Sequence, residues 1–149
     1  MNGLNLSIKL LFLFLFPNII LLNIVKEISF DFGVVQLLDN SIVRIEVISN
    51  VIIDYKECEL LNNAIGELNN NSKSLVLMLA DDTSQFTAEA RAFSASDEGR
   101  RFTIADAMVT RNLAQRLIAT LYIKINKPQI PSKIFNSEDE AIKWLLAQK

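Results

Sequence analysis

Six consecutive apolar residues, Leu75–Ala80, stand between a polar cluster at 69–74 and two carboxylates, Asp81 and Asp82. A strand that is buried on both faces has this pattern, because neither set of alternating side chains meets water. Helical patterns precede and follow the run, so the sequence predicts the central parallel strand of an α/β sheet. The two aspartates then lie at the end of the strand where open α/β sheets place their sites.

The neighbouring patterns predict the order ββαβαβαβα in one domain. Further strands are expected at Phe32–Leu37, Ile42–Val47, Phe102–Val109 and Lys133–Phe135, and helices at Asp54–Leu68, Ala88–Ser94, Arg111–Ile125 and from Ser137 onward. The short Asp-Asn connection makes the first two strands an antiparallel hairpin. Alternation of the remaining elements predicts a mixed, mainly parallel sheet with the hairpin at one side and helices packed against it.

Capping signals locate the helix starts. Asp54 with Glu57, and Ser137 with Glu140, have the spacing of capping boxes, and Thr87 is placed to cap the short helix. The longest predicted helix carries an apolar stripe at helical spacing. Its members are Leu113, Leu117, Ile118, Leu121, Tyr122 and Ile125.

Residues 1–25 form a separate hydrophobic segment, and the predicted domain comprises residues 26–149. The segment has one charged side chain, Lys9, and an apolar block at Leu10–Phe16 that Pro17 and Asn18 interrupt. Three interpretations stand side by side: a membrane-directing anchor, a cleaved signal peptide, and sequence upstream of the true translation start.

Composition excludes several classes of site. The 149 residues carry a formal net charge of −2, which argues against nucleic-acid binding, and the absence of histidine removes the commonest general base and most zinc sites. The single cysteine, Cys58, lies on the apolar side of a predicted helix, which favours a packed thiol. We therefore expect no metal, no cofactor and no enzymatic activity.

The loop after the central strand offers the candidate polar chemistry. Asp81 and Asp82 are suited to a divalent cation or a shared proton, or they simply end the strand. Thr83 and Ser84 precede a helix N-terminus, which favours phosphate, although hydroxyls in such loops commonly bond their own backbone. Basic residues between Arg91 and Lys133 outnumber the carboxylates there and would suit an anionic ligand, an acidic partner or lipid headgroups.

Several segments resemble a known family. They are Glu89–Arg91, Ser94–Gly99, Asn126–Pro128, Pro131–Phe135 and Ser137–Leu145. These segments resemble a STAS-like family of small bacterial proteins, a largely uncharacterised branch with many members from Bacteroidota. STAS names the domain that sulfate transporters share with anti-sigma-factor antagonists. The resemblance covers roughly residues 26–149 and implies a mixed sheet with packed helices.

The resemblance also implies a regulatory role. Anti-sigma-factor antagonists are phosphorylated on a serine or threonine that opens the helix after the central strand, which switches partner binding. Here Ser84 and Thr83 would be the candidates, although the loop reads Asp82-Thr83-Ser84-Gln85 and lacks the family's Asp-Ser-Ser/Thr-Gly type of motif. The implied switch or partner face comprises Asp81, Asp82, Thr83, Ser84, Thr87 and Arg91.

Two functions are thus expected. The first is a non-catalytic, protein-binding regulatory module in the cytoplasm, phospho-switched or not, with membrane association through residues 1–25 left open. The alternative is a carrier or sensor of a small apolar or anionic, lipid-like ligand. It predicts a cavity lined by Phe86, Phe93 and Phe102 beside the arginines.

Overall fold

The computed structural model describes residues 14–15 and 22–149, so the interpretations of the hydrophobic segment lie almost entirely outside the described residues. The described chain forms eight strands, four α-helices and one π-helix. These are β1 (Ile24–Phe30), β2 (Gly33–Leu38), β3 (Ile42–Val47), β4 (Ile52–Ile53), α1 (Tyr55–Leu68), β5 (Ser74–Ala80), β6 (Gln85–Phe86), α2 (Ala88–Ala95), β7 (Thr103–Val109), α3 (Leu113–Leu121), the π-helix (Tyr122–Asn126), β8 (Ser132–Phe135) and α4 (Glu138–Leu146).

The main sheet has six strands in the order β1-β2-β3-β5-β7-β8. Strands β1, β2 and β3 pair antiparallel, whereas β3, β5, β7 and β8 run parallel. The apolar run at β5 is therefore a central parallel strand, as predicted, and the hairpin lies to one side of it. This confirms the predicted mixed α/β class.

Two features extend the predicted order. β1 forms the outer edge of the sheet, and most of its residues are exposed, which leaves its sequence without a clear burial period. β4 and β6 form a short parallel ladder, with Ile52 opposite Gln85 and Ile53 opposite Phe86. That ladder joins the loop after β3 to the segment after β5, which the sequence predicts as a polar loop.

The three predicted N-caps are present, and the cap at Asp54 is the one of them that forms a full capping box. Asp54 and Glu57 form a full capping box at α1, and the Thr87 and Ser137 side chains accept hydrogen bonds from the backbone N–H groups of Ala90 and Glu140. These contacts satisfy N–H groups that the first helical turn leaves without partners. The helix starts are therefore determined by capping side chains within a few residues of each start.

The sheet has two differently covered faces. We call the side covered by α4 the closed face; there Leu75, Leu77 and Leu79 of β5 pack with α4 residues such as Leu145. We call the opposite side, covered by α1, α2, α3 and the π-helix, the cavity face. Residues of β5 alternate between the two faces, as side chains of a strand must.

The helix predicted at Arg111–Ile125 differs most from expectation. α3 ends at Leu121, and the chain continues as a π-helix to Asn126, where Lys127 adopts a left-handed φ of 47°. Of the predicted apolar stripe, Tyr122 is buried and the other members are exposed: Leu113, Leu117, Ile118, Leu121 and Ile125. We call these five residues the exposed stripe. Across the described part of the chain, none of the helices is both long and apolar enough to span a bilayer.

Candidate functional site

The loop after β5 is a hydrogen-bonded turn. The Asp81 carboxylate accepts from the Thr83 backbone N–H at 3.0 Å and from the Thr83 hydroxyl at 2.7 Å. These bonds stabilise the ionised carboxylate and lower the pKa of Asp81. The Ser84 hydroxyl donates to the Asp81 carbonyl oxygen at 2.7 Å. The hydroxyls of Thr83 and Ser84 therefore form hydrogen bonds within the turn. This is the second of the two roles that the sequence left open for them.

The helix that follows begins at Thr87, not at Ser84. The Thr87 hydroxyl oxygen accepts from the Ala90 N–H at 3.1 Å and donates to the Asp54 carboxylate at 2.7 Å. Ser84 precedes this cap by three positions, separated from it by β6. Thr87 thus caps α2 as predicted, and the β4–β6 ladder occupies the segment between Ser84 and the helix.

The remaining residues of the predicted partner face have different surroundings. The Arg91 guanidinium donates to the carbonyl oxygen of Phe86, the residue just before the N-cap of α2. Asp82 is exposed and lies at the rim of a cavity that Thr83, Ser84 and Arg91 also line. Among the described residues, no three carboxylate or cysteine side chains are grouped to hold a metal ion.

That cavity lies between the sheet and the helices of the cavity face and has a volume of about 530 Å³. Its walls are mainly apolar, with residues from the sheet, from α1 and α2, and from the underside of α3 and the π-helix. They include Val76, Met78, Met108, Leu61, Ile65, Phe93, Ile118 and Ala119. Protein sites for small molecules are commonly of this size and character.

A buried ion pair lies in the cavity wall. Arg100 and Asp106 are each 8 % exposed, and a guanidinium nitrogen lies 3.1 Å from a carboxylate oxygen. Arg100 also donates to the Tyr122 hydroxyl, and the Ser132 hydroxyl donates to Asp106. Burial raises the pKa of Tyr122 to about 12, against the opposing effect of the Arg100 charge. Tyr122 therefore stays neutral at physiological pH. The charges of Arg100 and Asp106 cancel, so the cluster of three side chains has no net charge.

Four buried polar atoms in this wall have no hydrogen-bond partner among the described residues. They are Asn62 Oδ1, Arg100 Nε, Thr110 Oγ1 and Gln115 Oε1, and all four residues line the cavity. Asn62, Arg100 and Thr110 are each more than nine-tenths buried. Buried polar groups are nearly always paired in folded proteins, so four unpaired atoms on residues that line one cavity are unusual.

Cys58 also lines the cavity, as a packed thiol. It is 6 % exposed, and burial raises its pKa. The Ser94 hydroxyl lies 3.5 Å from its sulfur. Since the thiolate is the reactive form, this cysteine is chemically quiet at neutral pH.

The cavity resembles the predicted one only in part. Phe86, Phe93 and Arg91 line it, but Phe102 does not. The Phe102 ring instead packs against Gly66 of α1, where a Cβ atom would lie 2.5 Å from it, and the Arg101 guanidinium covers it at 4.7 Å from the ring centroid. The predicted basic cluster is divided in the same way, since Arg100 is buried while Arg111, Lys124 and Lys127 are exposed.

Sequence reasoning missed Arg100, Asp106 and Tyr122 as a site. One signal was present: Asp106 is the only charged residue within β7, a strand otherwise made of apolar residues and Thr103. A carboxylate at an inward position requires a partner, because burying an unpaired charge is costly. That partner lies six positions earlier in the chain, in the turn before β7, and no local pattern identifies it.

The architecture is that of a SpoIIAA-like, or STAS-like, α/β domain. The chain belongs to the family described as "Domain of unknown function (DUF7793)", whose model matches residues 36–149. No curated protein matches it.

Two solved structures are similar to the chain. An uncharacterized protein of the DUF3478 family from Shewanella loihica PV-4, with a SpoIIAA-like fold, has 10 % identity and a TM-score of 0.51, over 85 % of this chain and 97 % of that one. A protein with unknown function from Arthrobacter sp. fb24 has 21 % identity and a TM-score of 0.28, over 75 % and 97 %. The first likeness confirms the STAS-like fold; the Bacteroidota branch stays a prediction.

Proposed function

We propose that this protein binds a small, mainly apolar molecule in the cavity beneath α3. One observation carries the proposal: the residues that line this mainly apolar cavity include four whose buried polar atoms have no partner among the described residues. These groups would supply directional contacts once their side chains turn toward a ligand. Ligand sites combine the same two elements, an apolar wall and a few polar groups that fix orientation.

The wall indicates the chemistry of the ligand. Arg100 Nε can donate, Asn62 Oδ1 and Gln115 Oε1 can accept, and the Thr110 hydroxyl can do either. Because Asp106 already balances the Arg100 charge, the site favours an uncharged polar group over an anion. A hydrocarbon body that carries a hydroxyl or carbonyl group fits this description, which corresponds to the apolar, lipid-like form of the carrier alternative.

The regulatory role implied by the STAS-like resemblance stays a prediction. The hydroxyls of Thr83, Ser84 and Thr87 already hold the loop and cap α2, so a phosphate on any of them would replace existing bonds. The geometry therefore favours ligand binding over a phospho-switch at this loop. The expectations of no enzymatic activity and of a protein partner likewise stay predictions.

The test is fluorescence titration of the full chain with N-phenylnaphthylamine, an uncharged apolar dye, in buffer without lipid. Ala119 lies under α3 in the cavity wall, and Ala119→Phe places a ring in the space. We expect the variant to bind the dye at least about tenfold more weakly than the wild type, which corresponds to roughly 1.4 kcal/mol. Decanol should displace the dye from the wild-type protein.

The matched control is Ala147→Phe, which adds the same ring at an exposed position after α4. This control should bind the dye as the wild type does. Equal dye binding by wild type and Ala119→Phe would contradict the proposal, because the dye would then lie elsewhere. Absence of dye binding and of decanol-dependent stabilisation in the wild type would contradict it as well, since a ligand that binds the folded state raises its stability.

A further inference from the structure

The outer side of α3 and the π-helix is apolar and uncovered. Leu113 is 72 % exposed, Leu117 56 %, Ile118 51 %, Leu121 53 % and Ile125 69 %. Four of the five follow at intervals of four residues, which places them along one side of the helical segment. In α1 and α4 most large aliphatic residues are instead buried, as Leu61 at 4 % and Leu145 at 0 % illustrate.

Along the chain, the segment that carries the exposed stripe has charged side chains of a single sign. Residues 107–137 contain five basic side chains, and all 17 carboxylate side chains of the chain lie elsewhere. Among the five, Arg111, Lys124 and Lys127 are exposed and belong to, or directly flank, the helical segment. Asp81 lies near Arg111 at the start of α3, so the basic character is strongest at the other end, around Lys124 and Lys127.

We propose that α3 and the π-helix dock on an anionic bilayer surface, with the exposed stripe at the acyl boundary and the lysines among the headgroups. Interfacial helices combine these two features, an apolar side that enters the boundary and a basic margin that is attracted to anionic lipid. Since none of the described helices can span a bilayer, the helix would lie in the plane of the interface.

Charge argues against a second copy of this chain as the occupant. A twofold interface brings the same patch of both subunits together, so basic residues at the ends of the segment, such as Arg111 and Lys124, would approach basic residues of the other subunit. Like charges at short range oppose association. Nucleic acid would account for the charge but not for five exposed aliphatic side chains. A bilayer accounts for both.

Docking would also place the cavity next to the acyl chains. Ile118 belongs to the exposed stripe and to the cavity wall, and Ala119 and Tyr122 on the underside of the same helical segment line the cavity. A molecule could then pass between bilayer and cavity along α3 without crossing bulk water. This last step rests on the proposed function, whereas the docking itself does not.

The experiment measures how deeply a label at a chosen residue lies in the bilayer. A contribution of residues 1–21 to vesicle binding therefore does not affect the result. A nitroxide is attached at Leu121→Cys in full-length Cys58→Ala protein, and its exposure to oxygen and to a water-soluble nickel chelate is compared. The vesicles contain phosphatidylcholine and phosphatidylglycerol in equal parts. The control label is at Leu146→Cys on α4, a partly exposed leucine on the opposite face of the sheet.

We expect the label at 121 to become accessible to oxygen and protected from the chelate, while the label at 146 stays in water. Lys124→Gln with Lys127→Gln should weaken partitioning into these vesicles about 30-fold, taking about 1 kcal/mol for each lysine. The same labelled protein should gain little protection on vesicles of phosphatidylcholine alone.

Three results would overturn docking. A label at 121 that stays in water while the protein is bound to vesicles would assign membrane binding to another segment. Protection that rises with protein concentration without vesicles would indicate a second copy, and protection that requires a soluble cell extract would indicate a protein partner. Ala119→Phe separates the two proposals, because it should weaken dye binding at least about tenfold yet leave the depth of the label at 121 unchanged.

Discussion

The two sides of strand β7 face different environments, a filled core on the closed face and a cavity on the cavity face. Ala105, Ala107 and Val109 point to the closed face and are 0 %, 0 % and 6 % exposed. Asp106, Met108 and Thr110 point to the cavity face and line the cavity. The same backbone therefore supports a filled core on one side and an unfilled one on the other.

Side-chain size explains the closed face. The two alanines of β7 and Ala141 of α4 let the helix approach the sheet closely, and Leu77 and Leu145 fill the remaining space with 0 % exposure. Interiors packed in this way have few voids larger than a water molecule. The closed face is thus the stable support of the fold.

On the cavity face, the geometry of α3 and the π-helix leaves space between these helices and the sheet. α3 buries only Ala119, and the π-helix that follows turns Tyr122 inward to reach Arg100. A π-helical turn widens the helix and is frequent at functional sites. Small residues on the underside of α3 therefore leave space where larger residues would have filled it.

The ion pair of the cavity face should give the largest effect. Asp106→Leu leaves the Arg100 guanidinium buried without its carboxylate, which should lower the free energy of unfolding by about 3–5 kcal/mol. Arg100→Met combined with Asp106→Leu removes both charges and should be clearly more stable than the single variant. Urea denaturation checks both, and a double variant less stable than the single one would show that the pair is not the cause.

The two faces should also differ in their response to truncation. Leu77→Ala on the closed face should lower the free energy of unfolding by about 2–5 kcal/mol, because a rigid core cannot collapse around the void. Met108→Ala on the cavity face should cost less, about 2 kcal/mol or below, since its half-buried side chain already borders empty space. The same denaturation assay compares them, and equal costs would contradict the difference in packing.

The smallest expected effect concerns alkaline pH. The pKa of Tyr122 is about 12 in the folded protein and 10.0 for the free side chain, so the unfolded chain loses this proton first as the pH rises. Stability should therefore fall between pH 10 and pH 12, with a slope of at most about 1.4 kcal/mol per pH unit from this group. Urea denaturation at several pH values measures this slope. The contribution of Tyr122 to the slope should be absent in Tyr122→Phe, whereas Tyr55→Phe, at an exposed position, should keep the Tyr122 contribution.

Much of the fold was predictable because its signals are local. The unbroken run at β5 indicates burial on both faces, and the caps at Asp54, Thr87 and Ser137 mark three helix starts. β1 was not predicted, because an exposed edge strand carries no burial period. The β4–β6 ladder was also not predicted, since it joins two-residue segments more than 30 positions apart.

The site was less predictable, because its parts come from distant elements. Asp82, Ser84 and Arg91, predicted for a partner face, lie at the cavity rim, and the partner face itself stays a prediction. The exposed stripe of α3 has the same sequence pattern as a packed helix, so periodicity alone cannot distinguish a covered side from an uncovered one. Phe102 shows the converse, since an aromatic residue expected at the cavity packs against Gly66.

The β4–β6 ladder has a consequence for how a molecule would enter and leave. It joins the starts of α1 and α2, and the bond from Thr87 to Asp54 strengthens that connection. α3 is not part of that ladder; side chains hold it, with Gln115 donating to the Ala80 and Asp81 carbonyl oxygens and Arg116 to Asn136. Outward motion of α3 leaves the backbone ladder intact, so we expect the rate of ligand exchange to depend on this helix.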